Sequence, residues 1–242
     1  MNDLMLSPEN FFDLTEFAHS EVFANIPTVW KPLLSLNSYL KTWLFQNKLK
    51  QNGVSIAETA RIYGHVFMGP GTVVEDGVCI VGPAIIGADC EIRQGAYIRG
   101  DCLMGDRCVL GHASELKNSI MLNDAKAPHF AYVGDSILGN NVNLGAGTKL
   151  SNLAVSSKKD VESGQRPTIK LQIEGQVVDT GLAKLGAIIG DHAQTGCNAV
   201  TNPGTIIGKN SLVYANTSVA KGLVPENSIV KLRQVTEIAK RT

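Results

Sequence analysis

Cysteine pairs, a basic leader and a long apolar run are all missing from this 242-residue chain. The five cysteines, Cys79, Cys90, Cys102, Cys108 and Cys197, are odd in number. None forms a Cys-x-x-Cys pair or clusters with histidines at metal-ligand spacing, so they read as reduced thiols and no metal is expected. The opening MNDLMLSPENFFDLTEF carries early acids in place of the basic start of a signal peptide. No stretch approaches the roughly 20 apolar residues that span a bilayer. A cytoplasmic protein without a membrane partner is the expectation. Lys and Arg balance Asp and Glu at 22 each, so no net charge points to a nucleic-acid partner.

What the chain does have is a period of six. Stepping by six from Ile56 meets Ile62, Met68, Val74, Ile80, Ile86, Ile92, Ile98, Met104, Leu110, Leu116 and Leu122, every one aliphatic. Two residues earlier stands a side chain that is usually small or β-branched, as at Val54, Ala60, Val66, Ala84, Cys90, Ala96, Cys102 and Cys108. Gly often follows, at 69, 87, 105 and 111. A helix of 3.6 residues per turn and a plain alternating strand would both drift out of phase with this repeat. A prism-shaped solenoid keeps it: each hexad makes one short strand and one corner, the aliphatic residue fills the interior, and Gly permits the turn. Three hexads close one coil, and the interior cysteines become core fillers.

The phase breaks after Leu122 and resumes, displaced, at Tyr132, Leu138, Leu144 and Leu150, which marks NDAKAPHFA as a loop leaving the coil. A third stretch runs Ile189, Thr195, Thr201, Ile207, Val213, Val219. Residues 7–50 look helical, with a start at Ser7-Pro8-Glu9-Asn10 and Pro32 in a first turn. Between Leu153 and Lys184 the hexads vanish: a polar run, SSKKDVESGQRP, precedes the alternating TIKLQIEGQVV, which reads as a loop and a β-hairpin. An insertion of this length often marks a functional edge. The expected organisation is a helical segment over 1–52, the solenoid over 53–225 with an insertion at about 153–185, and a tail over 226–242. The helical segment is a candidate cap for the open first coil.

His129 is the leading candidate for proton transfer near neutral pH, because it sits in the segment that leaves the repeat. His19, His65, His112 and His192 stand in no partner-rich context and read as surface residues. Five histidines without close spacing do not supply the zinc ligands of a β-helix carbonic anhydrase.

The stretch GHASELKNSIMLNDAKAPHFAYVGDSILGNNVNLGAGTKLSN resembles the acetyltransferase domain of the bifunctional N-acetylglucosamine-1-phosphate uridyltransferase/glucosamine-1-phosphate acetyltransferases. The match is ungapped from Arg99 to Asn152, and Arg99, Glu115, Lys117, His129, Tyr132, Asn143, Ala146 and Asn152 fall on identical residue types. The resemblance implies a left-handed parallel β-helix and a homotrimer whose sites are assembled between subunits. It implies acetyl-CoA as co-substrate and an amino-sugar 1-phosphate, of glucosamine or galactosamine, as acceptor. On this basis His129 is the general base, Glu115 orients and charge-stabilises its imidazole, and Asn152 belongs with them. Arg99 and Lys117 meet the sugar phosphate, while Tyr132, Asn143 and Asn152 line the sugar site. Ala146, Cys197 and Ala215 correspond to positions that meet acetyl-CoA, and at Cys197 the family usually has Ser, a stronger hydrogen-bond donor.

Two departures qualify the match. No Gly-rich phosphate loop followed by a basic residue is present, so uridyl transfer is not expected, and a separate uridyltransferase becomes a candidate partner. The insertion after Asn152 instead resembles the C-terminal domain of archaeal sugar-1-phosphate nucleotidylyltransferase/amino-sugar acetyltransferases. It also displaces a family lysine that binds the substrate phosphate: Lys158 matches it by count, Lys170 by strand pattern. The competing class is a β-helix scaffold or regulatory subunit without turnover. Acyl transfer from acyl carrier protein is a third reading, opposed by the absence of its usual extended C-terminal helical domain.

Overall fold

The computed structural model describes residues 3–47, 52–234 and 240, so part of the expected 226–242 tail lies outside the described residues. From Ser55 to Val230 the chain winds as a left-handed parallel β-helix with three faces. Face I has nine strands, from Ser55–Ile56 to Ile229–Val230. Face II has eight, from Arg61–Tyr63 to Ser218–Val219, and face III has eight, from Val66–Met68 to Gly222–Val224. Each strand pairs in parallel with the equivalent strand one coil on, so chemically similar side chains stack into columns. The interior column includes Met68, Ile80, Ile86, Ile92, Ile98, Met104 and Leu110, all essentially inaccessible. Each such side chain contributes roughly 1.5–3 kcal/mol of burial.

The repeat is not six throughout. Ile92 pairs with Leu110, eighteen residues on, but Leu110 pairs with Ala127, seventeen on. The interior residue after Leu116 is Met121, not Leu122, and the one after Ala127 is Val133, not Tyr132. Two corners each shortened by one residue, before Met121 and before Leu138, explain the apparent break of phase. NDAKAPHFA is therefore not a loop: Lys126–His129 is a strand of face I, paired with Val109–His112 and Asn143–Leu144. The small interior Ala127 hides the repeat from a search for large aliphatics.

The glycines after the aliphatic residue also act differently from expectation. A Cβ on Gly87 would lie 2.5 Å from the Gly105 carbonyl carbon, so the residue is needed for close approach of successive coils, and its φ is not positive. Left-handed backbone falls two residues later, on Asp89 and Arg107 among others. Thr195 in the interior meets Thr148, hydroxyl to hydroxyl at 2.9 Å, while the Thr201 hydroxyl is buried with no partner.

The N-terminal segment holds three short 3-10 turns, among them Pro8–Asn10, and one α-helix, α1 (Pro32–Gln46), with Pro32 at its first position. It runs as a strap along face III from late coils to early ones: Lys209 Nζ donates to Glu9 O, Asn140 Nδ2 to Asp13 O, Asn123 Nδ2 to Glu16 O, and the Trp43 ring meets Phe67. Beneath it lies a column of outward apolar residues, Phe67, Ile85, Leu103, Ile120, Ile137, Ile188, Ile206 and Leu223, one per coil. Trp30 packs there, its Nε1 donating to Thr180 O at 3.2 Å. The insertion forms the expected hairpin, Lys170–Ile173 with Gln176–Asp179, and Leu171 and Ile173 join the same apolar layer.

His19 is a correction. It is buried at 7% exposure, its Nδ1 lies 2.8 Å from the Tyr39 hydroxyl and its ring packs edge-on to Trp43. Burial lowers its pKa to about 4, against a weaker opposite pull from Asp106, and burial pushes the Tyr39 phenol up to about 12. His65, His112 and His192 are exposed. No helix among the described residues is long and apolar enough to cross a membrane, and no group of three or more His, Cys, Asp or Glu among them is placed to hold a metal ion.

Candidate active site

With face III covered, the outward side chains of faces I and II are the ones left to meet a ligand. His129 ends its strand at the corner where face I turns into face II, and its side chain is exposed. The register carries this corner through the coils: His112 opposes His129, Lys126 opposes Asn143, Asn143 opposes Gln194, and Gln194 opposes Leu212. Counting three residues on from each pair stacks His129, Ala146, Cys197 and Ala215 on successive coils along one edge. Backbone bonds hold the stack: Gly147 N donates to His129 O, Asn198 N to Ala146 O, and Asn216 N to Cys197 O, each between 2.8 and 2.9 Å. The proposed base and the three acetyl-CoA positions, drawn from 87 residues of sequence, thus share one straight edge. Above the histidine the edge carries only small side chains, a track for a thin, extended molecule.

Face II carries the second group. Its outward column runs Tyr97, Glu115, Tyr132, Lys149. The Arg99 guanidinium donates to Glu115 Oε1 at 2.6 Å, and this bond chiefly raises the Arg99 pKa. Among the described residues no hydrogen bond joins Glu115 to His129, so within one chain the Glu115 carboxylate is engaged by arginine and does not orient the imidazole. One coil on, Lys117 Nζ donates to both oxygens of Asp135, at 3.2 and 3.0 Å. Asn118 Nδ2 and Asn152 Nδ2 donate to the same carboxylate. Asp135 is a residue that sequence reading passed over. At 4% exposure it is the hub that fixes Lys117 and Asn152; it stands at the left-handed corner that Asp101 and Asn118 hold on the two preceding coils.

Tyr132 lies against this cluster. Its ring folds over Gly134, where a Cβ would come within 2.5 Å of the phenol oxygen, so Gly134 is what lets the ring lie flat. Burial raises the Tyr132 pKa, with Lys117 pulling the other way. Asn143 stands apart, half-buried on face I, and one chain does not bring it to Tyr132 and Asn152. Lys158 is also apart: it is exposed on the insertion, beside Lys159, Asp160 and Arg166. Cys197 is exposed, whereas Cys90, Cys102 and Cys108 are buried in the interior column and Cys79 is half-buried. Burial pushes the Cys102 thiol up to about 12 and the Cys108 thiol up as well, while the hydrogen bond with Cys108 lowers that of Cys90.

The family model described as "GMPPB C-terminal domain" matches residues 80–178. An Escherichia coli (strain K12) protein described as an uncharacterized acetyltransferase, YaiX, is 34% identical over 205 residues, covering 82% of this chain and 85% of its own. The bifunctional protein GlmU of Methanococcus maripaludis (strain C7) is 39% identical over 129 residues, covering 53% of this chain and 29% of the relative. This chain spans less than a third of such bifunctional relatives, 24% of one from Sulfurisphaera tokodaii and 29% of the GlmU protein. Among solved structures, the UDP-N-acetylglucosamine acyltransferase of Francisella novicida is similar at 15% identity with a TM-score of 0.45, over 73% of this chain and 66% of that one.

Proposed function

The chain belongs to the β-helix acetyltransferase family, and from that premise we propose that it transfers an acetyl group from acetyl-CoA to the amino group of an amino-sugar 1-phosphate, of glucosamine or galactosamine. The observation that carries this reading is the single edge on which His129, Ala146, Cys197 and Ala215 stack, with Tyr132 and Lys117 on the adjoining face.

Acetyl-CoA supplies the acetyl group as an activated thioester. Its pantetheine arm has room along the track of Ala146, Cys197 and Ala215, which rises about 4.8 Å per coil from the histidine. His129, exposed at the foot of that track, accepts the proton that the attacking amine sheds as the new C–N bond forms. The same imidazole then returns a proton to the sulfur as the C–S bond breaks. The sugar lies across face II against Tyr132 and Asn152, with Arg99 and Lys117 below it. The Asp135 carboxylate keeps Lys117 and Asn152 in place. Asn143, on face I, completes a site only if a neighbouring subunit presents it, which is consistent with a homotrimer. A separate uridyltransferase would use the product.

The test is release of free thiol from acetyl-CoA by the full chain with glucosamine-1-phosphate and, separately, galactosamine-1-phosphate. Turnover with one sugar supports the reading and chooses the acceptor. No turnover with either, from a folded protein, removes it.

A further inference from the structure

The residue after His129 belongs to a column of left-handed corners that runs through seven successive coils. Gly77, Gly95 and Gly147 hold three of them, Asn198 and Asn216 two, and Ala113 one, with φ between 50° and 74°. Gly and Asn are the types that tolerate this backbone, and Ala adds only a methyl. The seventh is Phe130, at φ 50°. A bulky side chain in this conformation is an outlier that costs stability, and outliers of this kind gather where a site uses them.

Packing does not account for the phenylalanine. Phe130 is 56% exposed, so its ring removes little apolar surface from water. The ring is nevertheless held in place. It packs edge-on against the His112 ring of the preceding coil, with centroids 5.2 Å apart and planes at 77°. The imidazole is fixed in turn: His112 Nδ1 lies 2.9 Å from Gln94 O, a carbonyl that can only accept, so Nδ1 carries the proton. Phe130 N donates to His112 O at 2.9 Å and ties the two corners together.

The edge therefore changes character at His129. Above it stand Ala146, Cys197 and Ala215, which leave a track open. Below it, where His112 opposes His129 in register, two braced rings form a shelf. A thioester that descends the track presents its carbonyl carbon at His129, and its acyl tail runs on toward the shelf. One coil rises about 4.8 Å, room for the methyl of an acetyl group but not for the propyl chain of a butanoyl group.

We propose that Phe130, buttressed by His112, is the stop that sets acyl length and restricts the donor to acetyl-CoA. The inference rests on the acyl-transfer reading for the direction in which the thioester lies. Phe130 is the specificity residue, because its ring meets the acyl tail; His112 is a positioning residue that acts through that ring. The strained corner is then explained: Gly or Asn would relax the backbone and leave the lower end of the track open.

The experiment is calorimetric titration of the full chain with acetyl-CoA and butanoyl-CoA, beside thiol release from each with glucosamine-1-phosphate and galactosamine-1-phosphate. Wild type is compared with Phe130→Gly, Phe130→Asn and His112→Ala. Phe130→Gly and Phe130→Asn carry residues that this column already uses on other coils, so their Tm is expected at or above that of wild type. Wild type should bind butanoyl-CoA at least tenfold more weakly than acetyl-CoA, since a methylene pressed against a fixed wall costs about tenfold or more. In Phe130→Gly and Phe130→Asn the ratio of butanoyl-CoA to acetyl-CoA affinity should rise at least tenfold, and in His112→Ala severalfold. A ratio within twofold of wild type in Phe130→Gly, or equal binding of the two thioesters by wild type, overturns the proposal. If that unmoved ratio comes with a raised acceptor KM, the ring belongs to the sugar. A ratio that rises as expected in a protein that acetylates neither sugar keeps the length stop and removes the proposed acceptor; a wild type that binds neither thioester removes both.

Discussion

Faces II and III are built from the same hexads and the same interior column, yet one is open and charged while the other is sealed. The difference lies in one outward residue per coil. On face III that residue is Ile85, Leu103, Ile120, Ile137, Ile188 or Ile206, and the strap and hairpin bury all of them. On face II it is Tyr97, Glu115, Tyr132 or Lys149, at least partly in solvent. A parallel solenoid stacks like on like, so a column of apolar residues makes a stripe that must be covered and a column of polar ones makes a site. Stability and chemistry are thereby assigned to different faces, and a substitution should disturb one without the other.

Trp30→Ala is expected to have the largest effect on stability, about 3–5 kcal/mol, because it empties the layer under the strap. Leu103→Ala should cost about 2–5 kcal/mol by the same route. Both are read as a fall in urea midpoint, with KM for both substrates unmoved in the folded fraction. A face III substitution that raises KM without lowering the midpoint would break the division.

Acid should act on the sealed side. His19 is lowered to about 4 in the fold against 6.5 in the unfolded chain. Between these values the unfolded chain takes up a proton that the folded one refuses, so stability is full above pH 6.5 and falls as the pH drops toward 4. The loss is about 3 kcal/mol. Urea midpoints at pH 7 and pH 4.5 should separate by less in His19→Gln than in wild type, and equal separations would remove His19 as the cause.

Asp135→Ala sharpens the comparison from the open side, where one buried carboxylate serves both functions. It strands Lys117, Asn118 and Asn152, and should cost about 1–3 kcal/mol while raising the acceptor KM and leaving the acetyl-CoA KM unchanged. Tyr97→Ala is the small effect, within about 0.5 kcal/mol, since the side chain is 39% exposed beside the cluster.

Much of this was legible in the hexads. Period, interior position and hairpin are set by side-chain size and alternation, which act locally. What stayed hidden depended on partners distant in sequence. The two corners shortened by one residue each were masked by the small interior Ala127 between them, so a coil strand looked like a loop. The apolar stripe of face III was visible as the middle residue of VFM, AII, CLM and SIM, but only a search at the coil period, not the hexad period, isolates it. His19 reads as a lone histidine until α1 brings Tyr39 and Trp43 beside it. At the site, His129, Ala146, Cys197 and Ala215 fell on one edge as the coil register requires. Glu115 is bonded not to His129 but to Arg99, which lies on the neighbouring coil in the adjacent column of face II.

The most direct test of the account is kcat/KM for acetyl-CoA-dependent N-acetylation by His129→Ala, measured beside its Tm. The account predicts a loss of at least about 100-fold at unchanged Tm, since the side chain is exposed and, among the described residues, His129 hydrogen-bonds only through its backbone. A variant that keeps wild-type turnover would contradict it and move the chemistry off this edge.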